Sequence, residues 1–396
     1  MHVGVSRCFP WLLCHHWGKL INVFNGKKRD RLGTLPDDVV EDVLSRLEID
    51  ELDNAKRVCR RWHALIATAH FTRVHLQRAS SVTVMCSPLS KRGLYHEPFL
   101  FYWDWGFPEE KPIREATLPG FQRIAKRRWF CNLPGCCDGL LIILVDVSRN
   151  FYEIPNPVTQ EQVQLRLEGS ICGFFLHSLP NKYRLLSYRE TPNGFLYRMG
   201  GLGPAAWNDV GTFPYRPREQ EDPSGIEGRL HWMVVGKECM SPPCSHCIMV
   251  FSTRESKFCF MPHPGDSCLS RDGHSNMHLM EMKGRVYVYA IRDKLMRLWV
   301  LEDYASWHWA RKCDINLERD FNLHLASQSL TSYSNYEDMQ LMDSQGGELL
   351  LGFFRYNLQS KTITQVSSDC SEKRTVSRVV VEVKSSLVSL KDLQRS

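Results

Sequence analysis

The sequence lacks the features that mark membrane-spanning proteins and secreted, disulfide-stapled domains. The apolar run Phe9–Leu13 is short, is interrupted by His15 and His16, and precedes no small-residue cleavage site of a signal peptide. It is far below the ~20 residues that a helix needs to cross a bilayer. The fifteen cysteines are scattered and odd in number, which argues against a disulfide framework. We therefore expect no membrane partner, free thiols in a reducing compartment, and a location in the nucleus or the cytoplasm.

A large excess of charge is also missing. The net charge is +6 over 396 residues, with 24% charged and 43% hydrophobic residues, which is the balance of an ordinary globular protein. Such a balance does not indicate a nucleic-acid partner, and we expect none. The basic and aromatic run Lys126–Trp129 is interpreted as a solvated turn. The run Lys27–Arg31 fits either a nuclear import patch or a basic linker before a folded module.

Motifs for catalysis are missing as well. No cysteine stands in a recognisable motif with the histidine and acid that a nucleophile needs. The segment Gly200–Pro204 precedes no helix and no Lys-Ser/Thr pair, so it does not form a phosphate-binding loop. The acids Asp104, Glu109 and Glu110 do not have the spacing of a hydrolytic pair. We therefore expect a non-catalytic protein without a cofactor.

One cysteine cluster leaves two interpretations open. Its cysteines follow a Cys-x4-Cys-x2-Cys pattern with two nearby histidines, the set being Cys239, Cys244, His246, Cys247 and His263. Zinc prefers four tetrahedral nitrogen or sulfur ligands, so the cluster is compatible with a zinc site. Pro242-Pro243 lies within the spacing and no second Cys-x2-Cys follows. We favour a loop with unpaired thiols and expect no metal.

A helical region spans Leu35 to Ile66. Pro36 suits a first helical position because its missing N–H would have no intrahelical partner there. The acids that follow it place negative charge near the positive end of the helix dipole. Apolar residues then recur at i, i+3, i+4 and i+7, and two shorter apolar stripes come after them. A unit this small cannot bury three apolar faces on its own, so part of this surface is expected to contact the remaining chain or another protein.

These residues resemble an F-box. The motifs that carry the resemblance are Leu35-Pro36, the stripe through Leu44 and Leu47, and Val58-Cys59-Arg60-Arg61-Trp62 followed by Leu65-Ile66. Glu48 departs from the pattern, because many members have a second proline there, and this affects the turn between helices more than the docking face. The resemblance implies a three-helix platform that docks on a Skp-family adaptor and, through it, on cullin. It implies adaptor contacts from Leu35, Pro36, Val40, Leu44, Leu52, Val58, Cys59, Trp62 and Leu65.

From about Ser81 onward, short β-rich runs alternate with Gly, Pro, Asn and Asp turns. The clearest unit contains the strands Gly139–Val145 and Phe151–Ile154 and the turn Asn156–Thr159. Comparable units are led by Gly173, Gly228, Gly284 and Gly347. Such units cannot bury their faces singly, so we expect them to stack radially around a channel. The valines Val379–Val381, with Val383 just beyond, are predicted to close the ring against the first unit, which begins at Ser81.

The order of F-box segment and Gly-led β units resembles that of plant F-box proteins with a kelch-like, F-box-associated propeller. The resemblance implies a multidomain α + all-β fold, in which a small three-helix F-box precedes a kelch-like β-propeller of about six blades. The paired glycines and the Tyr/Trp spacing of strict kelch repeats are mostly missing. The expected domains are a flexible extension at 1–31, the F-box at 32–78, the propeller at 79–390 and a tail at 391–396.

Target-binding residues are expected in propeller loops, because loops on rigid scaffolds carry most binding. Trp207, in a Gly/Pro/Asn setting, is predicted to be exposed, and Trp105 in the aromatic-rich stretch Tyr95–Phe107 is the second candidate. The alternating Phe99, Phe101 and Trp103 are predicted to fill the core instead.

The function implied by these resemblances is that of a substrate receptor in an SCF-type ubiquitin ligase. The F-box would hold the adaptor, and the propeller would hold an unidentified target protein. The alternative is a non-degradative propeller module that binds a small ligand or glycan. A second alternative for the helical region is a hairpin whose Trp62 fills its own core.

Overall fold

The computed structural model of the protein describes 35–79, 81–88, 96–102, 114–115, 132–146, 148–177, 182–203, 207–218, 223–235, 247–265, 277–282, 284–292, 295–316, 341–344, 348–351, 354–361, 363–365, 378–384 and 386–395. The chain divides into two compact units, Met1–Arg78 and Ala79–Ser396. The predicted flexible extension at 1–31 lies outside the described residues. In the part of the chain that is described, no helix is both long and apolar enough to cross a membrane.

The first unit contains four helices rather than the three that the resemblance implied. They are α1 (Asp37–Leu44), α2 (Ile49–Lys56), α3 (Arg60–Ile66) and α4 (Ala69–Arg78). Pro36 immediately precedes α1, and the acids Asp37 and Asp38 occupy its first turn. Glu48, the departure from the F-box pattern, precedes α2, and its backbone N–H donates to the Glu51 carboxylate at 3.1 Å. This bond satisfies one of the N–H groups that a helix start leaves open.

The fourth helix, α4, is tied to the C-terminal end of α1. His75 is buried and its Nε2 donates to the Leu47 carbonyl at 3.0 Å. Arg78 donates to the Asp42 carbonyl at 3.0 Å and pairs with the Asp42 carboxylate at 2.7 Å. The hydrogen bond from Arg78 lowers the pKa of Asp42. These groups satisfy carbonyls that the end of α1 leaves without intrahelical donors, so α4 belongs to the helical unit.

The second unit consists of antiparallel sheets. The first sheet contains β1 (Ser81–Pro88), β2 (His96–Tyr102) and β3 (Arg114–Glu115). The second contains β4 (Asn132–Cys137), β5 (Leu140–Asp146), β6 (Phe151–Pro155) and β7 (Gln162–Arg166). The third contains β8 (Ser170–His177), β9 (Lys182–Thr191), β10 (Gly194–Gly200) and β11 (Asn208–Phe213).

Three further sheets follow, so the described residues form six sheets in all. The fourth sheet contains β12 (Arg216–Pro217), β13 (Ser224–Ile226), β14 (Arg229–Val235), β15 (Ile248–Ser252) and β16 (Lys257–Met261). The fifth contains β17 (Met277–Met282), β18 (Arg285–Arg292), β19 (Leu295–Asp303) and β20 (His308–Asn316). The sixth contains β21 (Leu341–Ser344), β22 (Glu348–Leu351), β23 (Phe354–Asn357) and β24 (Ile363–Gln365).

Four of the five predicted glycines stand directly before a strand: Gly139 before β5, Gly228 before β14, Gly284 before β18 and Gly347 before β22. Asp138 and Gly139 both have positive φ, 50° and 79°, and connect β4 to β5. Glu227 and Gly228, at 49° and 73°, connect β13 to β14 in the same way. Two successive positive φ values are typical of the tight hairpin turn whose twist matches the strands. Gly173 lies within β8, which begins at the predicted Ser170, rather than before a strand. The strands β4, β13, β17 and β21 were not predicted.

The ring closes as predicted, because the last strand, β25 (Arg378–Lys384), pairs antiparallel with β1 in the first sheet. Val383 lies opposite Val82, and Val381 lies opposite Val84. β25 also contacts β4 of the second sheet, and β4 contacts β8 of the third. The innermost strands of successive sheets therefore neighbour one another, which is the radial stacking of a propeller.

The segment after β25 packs on the second sheet. Asn156, from the predicted turn Asn156–Thr159, is fully buried, and its Nδ2 donates to the carbonyls of Ser386 and Val388 at 3.1 and 2.8 Å. Its Oδ1 accepts the Val158 N–H at 2.8 Å, which fixes the turn. Residues 391–396 were predicted to be a tail, but the structure contains a helix here, α5 (Leu390–Arg395). Leu390 is buried and the Leu390 N–H donates to the Glu161 carboxylate at 2.6 Å.

Hydrogen bonds that involve aromatic side chains join neighbouring sheets through the core. The Trp232 indole of the fourth sheet donates to the Cys172 carbonyl of the third at 2.8 Å. The Tyr152 hydroxyl of the second sheet accepts the Ile171 N–H of the third at 3.1 Å. All of these side chains are buried, so each bond satisfies a polar group that water does not reach.

Replacing Asn156 with alanine should lower the free energy of unfolding of the propeller by about 1–3 kcal/mol, because the Ser386 and Val388 carbonyls would lose their donor. Denaturant unfolding of the full chain measures the change. Asn208→Ala, at an exposed position of β11, is the matched control and should change the stability by under about 0.5 kcal/mol. Equal effects of the two substitutions would contradict the role assigned to Asn156.

The helical unit should become less stable as the pH falls below the ordinary range for histidine. Burial lowers the pKa of His75, against smaller opposing effects of the Leu47 carbonyl and Glu48. The unfolded state therefore binds a proton more readily than the folded state, and stability is lost as His75 of the unfolded chain becomes protonated. Hydrogen exchange of residues 37–78 should be faster, relative to the intrinsic rates, at pH 5.5 than at pH 7.5.

His75→Gln should remove most of this difference, since glutamine keeps a donor for the Leu47 carbonyl but does not titrate. His63→Gln, at an exposed position of α3, should leave it unchanged. The pH effect would not arise from His75 if both variants kept the wild-type difference.

Candidate adaptor and target-binding surfaces

The nine predicted adaptor contacts divide into a buried and an accessible group. Val40, Leu44, Leu52 and Trp62 are between 0% and 8% exposed and lie in the core of the helical unit. Their burial assigns these four side chains a role in holding the helices together, and their contact with an adaptor stays a prediction. The remaining five are accessible: Leu35, Pro36, Val58 and Cys59 are exposed, and Leu65 is half-buried.

Exposed apolar residues concentrate on the helical unit. Of the large hydrophobic side chains that are exposed in the described residues, three are Leu35 (38%), Val39 (41%) and Val58 (45%), and the fourth is Trp307 of the second unit. Val39 was not among the predicted contacts. It lies three residues after Pro36 and so on the same side of the chain at the start of α1.

Arg61 brings the two accessible motifs together. Its guanidinium donates to the Asp37 carboxylate at 2.7 Å and to the Leu35 carbonyl at 2.5 Å. Because Arg61 lies in the first turn of α3, these bonds hold the Leu35-Pro36 segment beside the Val58-Cys59 segment that precedes that helix. The Cys59 sulfur accepts the Trp62 N–H at 3.5 Å and so caps α3. The five residues Leu35, Pro36, Val39, Val58 and Cys59 are called the apolar face below.

Of the two predicted target-binding tryptophans, the structure describes only Trp207. Trp105 lies outside the described residues, as does Trp103, and no side-chain position is described for Phe99 or Phe101. Trp207 was predicted to be exposed, but it is half-buried and packs against the core of the second and third sheets. Its ring lies so close to Gly200 that a Cβ added there would be 2.4 Å from it. Because Gly200 has no side chain, the Trp207 ring fits against it, and Trp207 is therefore half-buried rather than exposed.

Trp207 lines a cleft of about 200 Å³ on the second and third sheets. The cleft contains three arginines and two aromatic residues, and the name arginine cleft is used for the set Arg166, Glu168, Tyr188, Arg189, Arg198 and Trp207. Arg198 pairs with Asp209 at 3.0 Å and donates to the Trp207 carbonyl at 3.2 Å. The sequence did not indicate this cleft, because its arginines belong to different strands.

A second cavity, of about 380 Å³, lies between the innermost strands of four sheets. Its lining includes Cys136 of β4, Phe174 of β8, Gly225 of β13 and Glu281 of β17. The Arg229 guanidinium at its wall stacks over the Tyr304 ring, 4.7 Å from the centroid. Aromatic, backbone and charged groups therefore converge on one space at the channel side of the sheets.

The described cysteines are free thiols. Burial raises the pKa of Cys137 and Cys172, which is opposite to the shift that activates a nucleophilic cysteine. Of the cysteine and histidine cluster considered for zinc, Cys239, Cys244 and His246 lie outside the described residues. Cys247 is buried, and the ring of His263 contacts the Pro264 carbonyl at 2.7 Å. Within the described ranges, no group of three or more potential ligands is assembled.

Each of the two units matches a known protein family. An "F-box-like" family matches residues 32–77, and the "F-box associated beta propeller domain" family matches residues 108–387, which is more than half of the chain.

Several proteins of Arabidopsis thaliana are similar over most of the chain. F-box protein At3g07870 is 24% identical over 318 residues, covering 70% of this chain and 72% of its own length. F-box protein At5g49610 is 20% identical over 308 residues, covering 71% and 79%. F-box protein At3g28330 is 23% identical over 323 residues, covering 74% and 76%. With four helices followed by propeller sheets, the chain belongs to the family of plant F-box proteins that carry an F-box-associated β-propeller.

Proposed function

We propose that the protein is the substrate receptor of an SCF-type ubiquitin ligase. In this proposal the F-box docks a Skp-family adaptor and, through it, cullin, while the propeller holds a target protein for ubiquitination. The protein has no catalysis of its own: holding a target near a charged conjugating enzyme makes transfer effectively intramolecular. The free thiols fit a location in the nucleus or the cytoplasm.

The observation that carries the proposal is the apolar face of the helical unit. Soluble monomers rarely keep clustered apolar side chains in water, and such clusters mark sites of protein interaction. Leu35, Val39 and Val58 are each more than a third exposed. The Arg61 bonds to Leu35 and Asp37 hold this surface in one arrangement before any partner binds. A preorganised surface loses less conformational entropy on binding.

The direct test is retention on purified Skp-family adaptor, comparing the intact chain with a variant that carries Leu35→Asp and Val58→Asp. Each substitution places a carboxylate where an apolar contact is expected, and together they should weaken adaptor binding by at least about 100-fold. Both positions are exposed, so hydrogen exchange of residues 37–78 should stay at the wild-type level. The matched control is Gln77→Asp, at an exposed position of α4. Unchanged retention of the double variant would rule out the apolar face as the adaptor site.

Trp62→Ala should behave differently from the surface substitutions. Trp62 is 8% exposed and packs in the helical core, so truncation should remove about 3–5 kcal/mol of stability from the F-box unit. Adaptor binding should then be lost together with the protection of residues 37–78 from hydrogen exchange. Normal protection with lost binding would instead assign Trp62 to the contact itself.

The cavity of about 380 Å³ favours a second candidate function, a non-degradative propeller that binds a small ligand or glycan. Its volume falls in the range of small-molecule sites, and its lining combines apolar and polar groups as such sites do. Thermal shift of the full chain against a panel of monosaccharides and plant metabolites tests it. A saturable shift that Phe174→Ala abolishes would support this function; no shift across the panel would count against it.

A further inference from the structure

The arginine cleft carries more positive charge than its own carboxylates engage closely. Arg189 Nη1 lies 3.9 Å from a Glu168 carboxylate oxygen, and Arg198 Nη1 lies 4.0 Å from the same oxygen. Both distances exceed the length of a hydrogen bond. Arg166 lines the same space and makes no ion pair within the described residues. Three guanidinium groups therefore face two carboxylates, of which Asp209 pairs closely with Arg198 and Glu168 is loosely held.

The position of Glu168 shows which chemical group the cleft accepts. Its carboxylate lies between two guanidinium groups, although its side chain is 75% exposed and not held by close hydrogen bonds. A carboxylate from another chain could take the same position and form the short, bidentate bonds that arginine makes with such groups. Glu168 would then turn into solvent at little cost.

The aromatic side chains of the cleft are packed against neighbouring residues. The Trp207 ring packs over Gly200, and the Trp207 carbonyl accepts a hydrogen bond from Arg198. Tyr188 packs against Tyr197 at a centroid distance of 5.8 Å. Fixed aromatic rings beside arginines are the composition of interface hot spots, because they lose little side-chain entropy on binding. The volume of about 200 Å³ limits the ligand to a few side chains of one extended segment.

We propose that the arginine cleft binds an acidic segment of the target protein, with its Asp or Glu carboxylates displacing that of Glu168 between Arg189 and Arg198. An apolar part of the same segment packs on Trp207. The proposal deepens the target-binding role proposed for the propeller and rests on it. In this proposal the arginines of the cleft recognise a carboxylate of the target, and Glu168 occupies the position of that carboxylate when no target is bound.

The test is fluorescence anisotropy of the full chain with fluorescein-labelled octaglutamate, compared with octaglutamine of the same length. Octaglutamate should bind and octaglutamine should not. Arg189→Ala should weaken octaglutamate binding at least tenfold, whereas Glu168→Ala should strengthen it severalfold because the competing carboxylate is gone. The matched controls are Arg254→Ala and Glu255→Ala, at exposed positions between β15 and β16, which should change binding less than twofold.

Weaker peptide binding by Arg189→Ala and stronger binding by Glu168→Ala, with little change in the control variants, would distinguish a specific site from general charge attraction. Equal effects of the cleft and control substitutions, or no binding of octaglutamate, would overturn the proposal. A phosphoserine octapeptide that binds when octaglutamate does not would overturn the assignment to carboxylates. Adaptor retention is measured on the same samples: if the adaptor binds and the peptide does not, only the cleft proposal fails. If the adaptor does not bind, the ligase role fails.

Discussion

Backbone pairing between β25 and β1 joins the two ends of the propeller unit, and the order of all six described sheets depends on it. Without β25, the first sheet would lack its innermost strand, and β4 of the second sheet would lose its neighbour. Exposed strand edges of that kind are sites of aggregation, and closed arrangements protect them. The chain reinforces the closure beyond the strand, since Asn156 and Glu161 hold residues 386–391 on the second sheet. Gly139 permits this approach, because a Cβ there would be 2.3 Å from the Lys384 carbonyl oxygen.

Much of this propeller could be predicted from local sequence, and the parts that could not share a physical cause. The strands β5 and β6 are apolar and bounded by turn residues, so both were predicted to within one residue of their observed ends. Among the innermost strands, β8 and β25 were predicted, whereas β4 and β13 were missed because they are irregular or short. β4 reads Asn-Leu-Pro-Gly-Cys-Cys, and β13 has only three residues. Their extended conformation is imposed by the neighbouring sheets of the ring rather than by their own side chains.

The helical unit shows a different limit of prediction. The motifs identified the correct segment, but apolar periodicity alone does not separate the side chains that build a core from those that a partner covers. Val40 is 3% exposed and its neighbour Val39 is 41% exposed, although both are valines of one helix. The two valines lie on different faces of α1, and α4, which was not predicted, adds Phe71, His75 and Leu76 to the core of the same unit. The arginine cleft was also beyond prediction, since the antiparallel register of β9 and β10 sets Arg189 opposite Leu196 and Arg198 opposite Ser187.

The closure between β1 and β25 also sets an order of events during synthesis. Most of the second unit separates these two strands, so β1 waits for its partner while the other described strands are synthesised. The helical unit is a compact unit that precedes the propeller in the chain, so it leaves the ribosome before the propeller does. A message cut short before codon 378 would therefore yield a product that keeps the apolar face but has no closed ring. If the apolar face is the adaptor site that we propose, such a fragment would occupy the adaptor without presenting a target to it and would inhibit the intact protein.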